Sequence, residues 1–212
     1  MKNYSNDINK YLKSCKFSDY QIETMRKITN NLYEEQPINT FDRLLKDRIL
    51  ILSGEVNEYS TEILKANILY LESIGDEDIT IYINSGGGEV YSGLGLIDVM
   101  DFVKPDIVTI NTGLAASMAA LILASGADGK RKALKRSRTM IHQPLGGMWG
   151  QASDMVIEAK EIMNLKKELY DILVSRTGQT YEKINSDSDR DYWMTSSEAK
   201  SYGLIDHIIT KR

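Results

Sequence analysis

The sequence predicts an α/β domain with mostly parallel sheet, flanking helices and one long helix near its C-terminal end. Three observations carry this. From residue 49 onward, apolar segments of strand period alternate with segments of helical period. Each segment is short and closed by glycine or proline, as at Gly75, Pro105 and Gly178. Residues 153–176 form a helical pattern well above average length.

Residues 1–36 are polar and rich in Lys and Asn, and Pro37 follows them. They read as an extension, mobile or removed by processing, and residues 37–212 as a single domain. Phe41-Asp42-Arg43-Leu44-Leu45 has the spacing of a short amphipathic helix. Residues 49–52, Ile-Leu-Ile-Leu, are an unbroken apolar run and predict a strand buried on both faces. Ile63, Leu64 and Ile68 recur at helical spacing before Gly75. Ile79, Ile81 and Ile83 alternate with Thr80 and Tyr82, which predicts a strand running into a glycine turn. A helix carrying Leu94, Ile97, Met100 and Phe102 must stop before Pro105. Ile107, Val108 and Ile110 predict the next strand, residues 117–124 a small buried helix, and Met140-Ile141 the end of another strand.

In the long helix, Ile157, Met163, Leu165, Leu169, Ile172 and Leu173 spread around much of the circumference. A helix apolar on more than one stripe needs more than one partner, so contact with another subunit is expected. The last unit opens on Thr195-Ser196-Ser197-Glu198, the pattern of a capping box, and closes at Gly203.

Composition excludes several classes. There are 26 Lys plus Arg against 30 Asp plus Glu, a net charge of −4, which argues against a nucleic-acid binder. The basic cluster Lys130-Arg131-Lys132 with Lys135 and Arg136 reads as a solvated loop. Cys15 is the only cysteine, so neither an intrachain disulfide nor a thiolate metal cluster is possible. Together with an N-terminus that lacks a signal-peptide pattern, this points to a soluble protein of a reducing, cytoplasmic compartment.

Four segments carry candidate chemistry. Asn84-Ser85-Gly86-Gly87-Gly88 follows a strand, and its backbone N–H groups suit a developing oxyanion. It lacks the Lys-Ser/Thr pair of a phosphate loop and the spacing of a dinucleotide fingerprint. Ser117, in Gly113-Leu114-Ala115-Ala116-Ser117-Met118, lies between strand and helix, where a helix cap competes with a nucleophile. His142 ends a strand before Gln143-Pro144-Leu145-Gly146-Gly147, a better context than that of His207, beside Asp206 in an apolar segment. Asp191 stands between Arg190 and the aromatic pair Tyr192-Trp193, a setting that would shield a carboxylate, though a surface ion pair fits it equally.

Taken in order, these four segments resemble the signature segments of the Clp protease proteolytic subunit, over residues 41–209. The separations from Ser117 to His142 and from His142 to Asp191 match that family's pattern. Where the family usually has proline, this chain has Gly86 and, after Ala133-Leu134, Lys135. The resemblance implies a Clp-protease/crotonase-like fold and a serine endopeptidase without metal or organic cofactor. It implies Ser117 as nucleophile, His142 as general base, Asp191 orienting it, and the N–H groups of Gly88 and Met118 as oxyanion hole. An extended peptide would add beside the glycine run and residues 143–150.

The resemblance also implies a homo-oligomer of two stacked seven-membered rings, with Arg190 at the ring contact. An AAA+ unfoldase of the Clp type would feed it unfolded proteins, docking at Tyr82, Phe102, Ile110 and Ile209 unless these four belong to the core. The alternatives are a catalytically silent ring subunit and an acyl-CoA hydratase or isomerase of the crotonase type.

Overall fold

The computed structural model describes residues 40–147 and 150–211. The expected N-terminal extension, residues 1–36, lies outside the described residues. The chain divides between Arg43 and Leu44, and everything below concerns the second unit except the first residues of helix α1 (Thr40–Lys46).

Strands β1 (Ile49–Val56), β2 (Ile79–Gly88), β3 (Ile107–Ala116), β4 (Arg131–Leu134) and β7 (His207–Ile209) lie side by side in that order, all parallel. Strand β3 has two partners on the same side. Thr109–Asn111 pair with β4, whereas Leu114–Ala116 pair with β5 (Arg138–Ile141). The sheet therefore forks at β3. Asn111 stitches the fork: its amide donates to the Arg138 carbonyl at 2.8 Å and its oxygen accepts from Gly113 N–H at 3.0 Å. Strand β6 (Tyr192–Thr195) pairs with β5 and is antiparallel.

Helices α2 (Glu58–Ile74), α3 (Val90–Phe102), α4 (Met118–Ala124), α5 (Ala152–Thr177), α6 (Tyr181–Asp187) and α7 (Ser196–Tyr202) fill the connections. The amphipathic spacing of α2 is real: Thr61, Leu64, Ile68 and Leu71 are buried, three or four residues apart. Asn57 caps it by accepting from Ser60 N–H at 2.9 Å. The capping box at Thr195 and Glu198 forms, and Gly178 and Gly203 close α5 and α7 in left-handed geometry. Helix α4, Met-Ala-Ala-Leu-Ile-Leu-Ala, is buried throughout and packs on Ile81, Ile83 and Leu96 within one core.

Several expectations need correction. Strand β1 is not buried on both faces; it is the sheet's edge, Leu50 and Leu52 face the core, and Ile51 is 42% exposed. The glycine run is not a turn. It continues β2, with Gly87 and Gly88 still paired to Glu55 and Val56 of β1. The basic cluster is only partly a loop, because Arg131 opens β4 and is buried. Its guanidinium donates to both carboxylate oxygens of Asp206, and Lys130 binds Asp78 and Asp106. Burial opposes ionisation of Asp206, yet the hydrogen bonds from Arg131 outweigh it and hold the carboxyl below its ordinary value.

Candidate active site

In an α/β sheet, sites collect where parallel strands end. Here the C-terminal ends of β2, β3 and β5 lie together, and β6, running the other way, brings its N-terminal end to them. Each end carries one of the four segments singled out in the sequence.

Ser117 links β3 to α4 and adopts φ 55° and ψ −128°. For a residue with a Cβ that region costs on the order of 1–3 kcal/mol and persists only when neighbours enforce it. The enforcement is visible: Ser117 N–H donates to the Met140 carbonyl and the Ser117 carbonyl accepts from Ala120 N–H, both at 2.9 Å. Ser117 occupies the N-cap position, but its side chain makes no cap bond. Its Oγ lies 2.8 Å from His142 Nε2 instead.

His142 follows β5 directly, and its Nδ1 lies 3.0 Å from Asp191 Oδ1. Register explains the contact. Met140 faces Trp193 and Ile141 faces Tyr192 across the β5–β6 ladder, so one further step sets His142 opposite Asp191. A carboxylate can only accept, so Nδ1 carries the proton, Nε2 is the acceptor, and Ser117 Oγ–H donates to it. The imidazole is largely buried, whereas the Asp191 side chain is 58% exposed. The expected aromatic shielding of Asp191 is therefore absent.

Beside Ser117 the glycine run is pinned by Ser85. Its buried hydroxyl donates to the Gly54 carbonyl at 2.5 Å and accepts from Gly87 N–H at 3.1 Å. Glu89 N–H donates to the Val56 carbonyl at 2.7 Å, so the parallel ladder turns the N–H of Gly88 away from β1. Both glycines are obligatory. A Cβ on Gly87 (φ 94°) would meet Ala116 O at 2.6 Å and Ser117 Cβ at 2.7 Å, and one on Gly88 (φ 153°) would strike the Val56 carbonyl.

A cavity of about 300 Å³ opens at Ser117 and His142, walled by Val90, Met118, Leu121, Pro144, Leu145 and Leu169. It is apolar but for the glycine backbone and the two site residues. No group of three or more His, Cys, Asp or Glu among the described residues has metal-binding geometry.

The structure thus brings Ser117, His142, Asp191, Gly88 and Met118 to one place, and leaves out His207, exposed in the edge strand β7. It gives roles to Ser85 and Gln143, which stood in the quoted segments without one, and adds Asn111; all three act on backbone carbonyls, which the sequence does not mark.

The sequence model of the family described as Clp protease matches residues 32–212. The chain belongs to the Clp protease family. It is 51% identical over 187 residues to an ATP-dependent Clp protease proteolytic subunit of Bacteroides fragilis, covering 85% of this chain and 90% of that protein. A protein of the same description from Bacteroides thetaiotaomicron is 52% identical over 187 residues, 85% of each chain. Another, from Porphyromonas gingivalis, is 48% identical over 199 residues, 91% of this chain and 90% of its own. The chain is a serine endopeptidase of the Clp proteolytic-subunit type, and neither the acyl-CoA enzyme nor the silent subunit is favoured.

Proposed function

We propose that this Clp-type subunit cleaves unfolded polypeptides through Ser117, His142 and Asp191. The observation that carries the reading is the pair of contacts on one imidazole, 2.8 Å to Ser117 Oγ and 3.0 Å to Asp191 Oδ1. Ser117 Oγ attacks the peptide carbonyl while His142 Nε2 takes its proton. Asp191 holds the imidazole in the needed tautomer and stabilises the imidazolium. The N–H groups of Gly88 and Met118 stabilise the tetrahedral oxyanion. His142 then returns the proton to the departing amine, and water repeats the sequence on the acyl-enzyme. Substrate lies extended beside the glycine run and the loop that starts at Gln143, with an apolar side chain in the 300 Å³ cavity.

Assembly into two stacked heptameric rings in the cytoplasm, fed by an AAA+ unfoldase, is part of the same proposal. The relatives are described as ATP-dependent. Val156, Ile157 and Met163 of α5 are well exposed in the single chain, which suits burial between subunits. Arg190, next to Asp191, is exposed and available for the ring contact. No helix among the described residues is long and apolar enough to cross a membrane. Of the four expected docking residues, Phe102 is 79% exposed, which favours docking, Tyr82 and Ile209 are half-buried, and Ile110 is buried in the core.

The test is chemical. A fluorophosphonate should label Ser117, and Ser117→Ala should abolish both labelling and hydrolysis of a fluorogenic peptide while assembly by sedimentation is unchanged. Full turnover by Ser117→Ala would refute the assignment.

A further inference from the structure

We propose that Gln143 is a positioning residue for this reaction, acting by holding Asp191 against His142; the proposal rests on the triad reading above. The difficulty it resolves is the exposure of Asp191. Its side chain is 58% exposed and sits on the short connection 188–191 between α6 and β6. A solvated carboxylate on a connection leaves its partner readily unless the backbone on both sides is fixed.

On the C-terminal side the ladder fixes it, since Tyr192 faces Ile141. On the N-terminal side there is no strand: the N–H groups of Ser188 and Asp189 bond back into α6, to the Ile184 and Ser186 carbonyls, and the ties across to the His142 segment come from Gln143. Its backbone N–H donates to the Ser188 carbonyl at 2.7 Å, and its side-chain Nε2 donates to the Asp189 carbonyl at 2.9 Å. His142 lies between Ile141 and Gln143, and Asp191 between Asp189 and Tyr192. The two residues therefore lie inside two short spans whose ends are tied to each other, and their contact is what the ties enforce.

The amide is also oriented. Gln143 Oε1 accepts from Lys166 Nζ of α5 at 3.4 Å, which aims Nε2 at Asp189. A side chain of this length that both donates to a carbonyl and accepts from an ammonium is an amide. Truncating it leaves the backbone tie to Ser188 and frees residues 189–191. Gln143 does not line the cavity beside Ser117.

The experiment is a double-mutant cycle on the full-length, assembled protein, with peptide hydrolysis and the rate of fluorophosphonate labelling of Ser117 as readouts. Gln143→Met should lower kcat about tenfold with KM within about twofold, since small misplacements of reacting groups cost rate steeply. In an Asp191→Asn background the same change should cost less than about twofold, because what it positions is already lost. Equal fractional losses in both backgrounds, or no loss in the wild-type background, overturn the proposal while leaving the triad standing. Wild-type turnover by Asp191→Asn overturns the triad and this proposal together. Gln143→Leu serves if Gln143→Met sediments abnormally, and failure of both to assemble counts against a role confined to Asp191.

Discussion

Gly87→Ala and Gly86→Ala change neighbouring residues by one methyl group, yet they should differ sharply in activity. At Gly86 the new Cβ meets nothing within 4 Å. At Gly87 it would stand 2.6 Å from Ala116 O, 2.7 Å from Ser117 Cβ and 3.0 Å from Met118 N. None of these is the free end of a flexible side chain: two are backbone atoms and the third is the Cβ of Ser117, the proposed nucleophile. Ordinary contact begins near 3.4 Å, so the segment 116–118 must move by roughly 0.5–1 Å. The backbone at Gly87 (φ 94°) adds strain of about 1 kcal/mol for any residue with a Cβ. A displacement of about 1 Å at a reacting group costs roughly 10²-fold in rate, equivalent to about 2.7 kcal/mol of barrier. Gly87→Ala should therefore lose about 10²-fold in kcat on a fluorogenic peptide, and Gly86→Ala should stay within about threefold of wild type. Sedimentation of both variants guards against a trivial loss of assembly. Equal activities for the two would refute the claim that the packing of Gly87 on Ser117 sets the nucleophile's place.

Two further outcomes follow from the structure. Asp206→Asn removes the partner of a buried guanidinium and should destabilise by about 3 kcal/mol in chemical denaturation at pH 7. Because the Asp206 carboxyl is held below its ordinary value, its contribution is complete above about pH 4. It fades as pH falls through the depressed value, so wild type and variant should differ equally at pH 7 and 5 and converge below 4; a constant gap would count against the pair. Tyr82→Ala, in the presence of an unfoldase and ATP, should spare peptide cleavage and reduce degradation of a folded protein. Parallel loss of both activities would point to core damage instead.

Much of this was readable from the sequence because the elements that matter are amphipathic or bounded. Helices α2, α3 and α5 announce themselves by period, and α5 and α7 by the glycines that end them. What escaped did so for tertiary reasons. Strand β4 reads Arg-Lys-Ala-Leu, too charged to look internal, and what makes Arg131 tolerable inside is distant in sequence: Asp206, 75 residues away, and the Arg176 carbonyl. Strand β1 looks two-faced because Ile51 is apolar, although its position at the sheet edge leaves that side chain in the open. Helix α6 buries Ile184 alone and so has no period to find. At the site, residue types fixed which groups are reactive, but Ser85, Asn111 and Gln143 bond to carbonyls that every sequence possesses.

Among the described residues, the one antiparallel pairing in an otherwise parallel sheet is the feature that makes this site possible. Parallel strands deliver their C-terminal ends to one side, and Ser117 and His142 arrive that way, from β3 and β5. Their register sets the spacing, since Ala116 faces Met140, and Ser117 N–H reaches back to Met140 while His142 stands two residues further on. A third parallel strand beside β5 would present its own C-terminal end there, after its full length had been spent. Strand β6 runs the other way and is entered at the site, so the residue just before it, Asp191, meets His142 at the first step of the ladder. The cost is that Asp191 precedes the strand and has no ladder bond of its own to hold it. That is where a side chain outside the strand, Gln143, becomes necessary, and why the exposure of Asp191 and the two bonds from Gln143 belong to the same design.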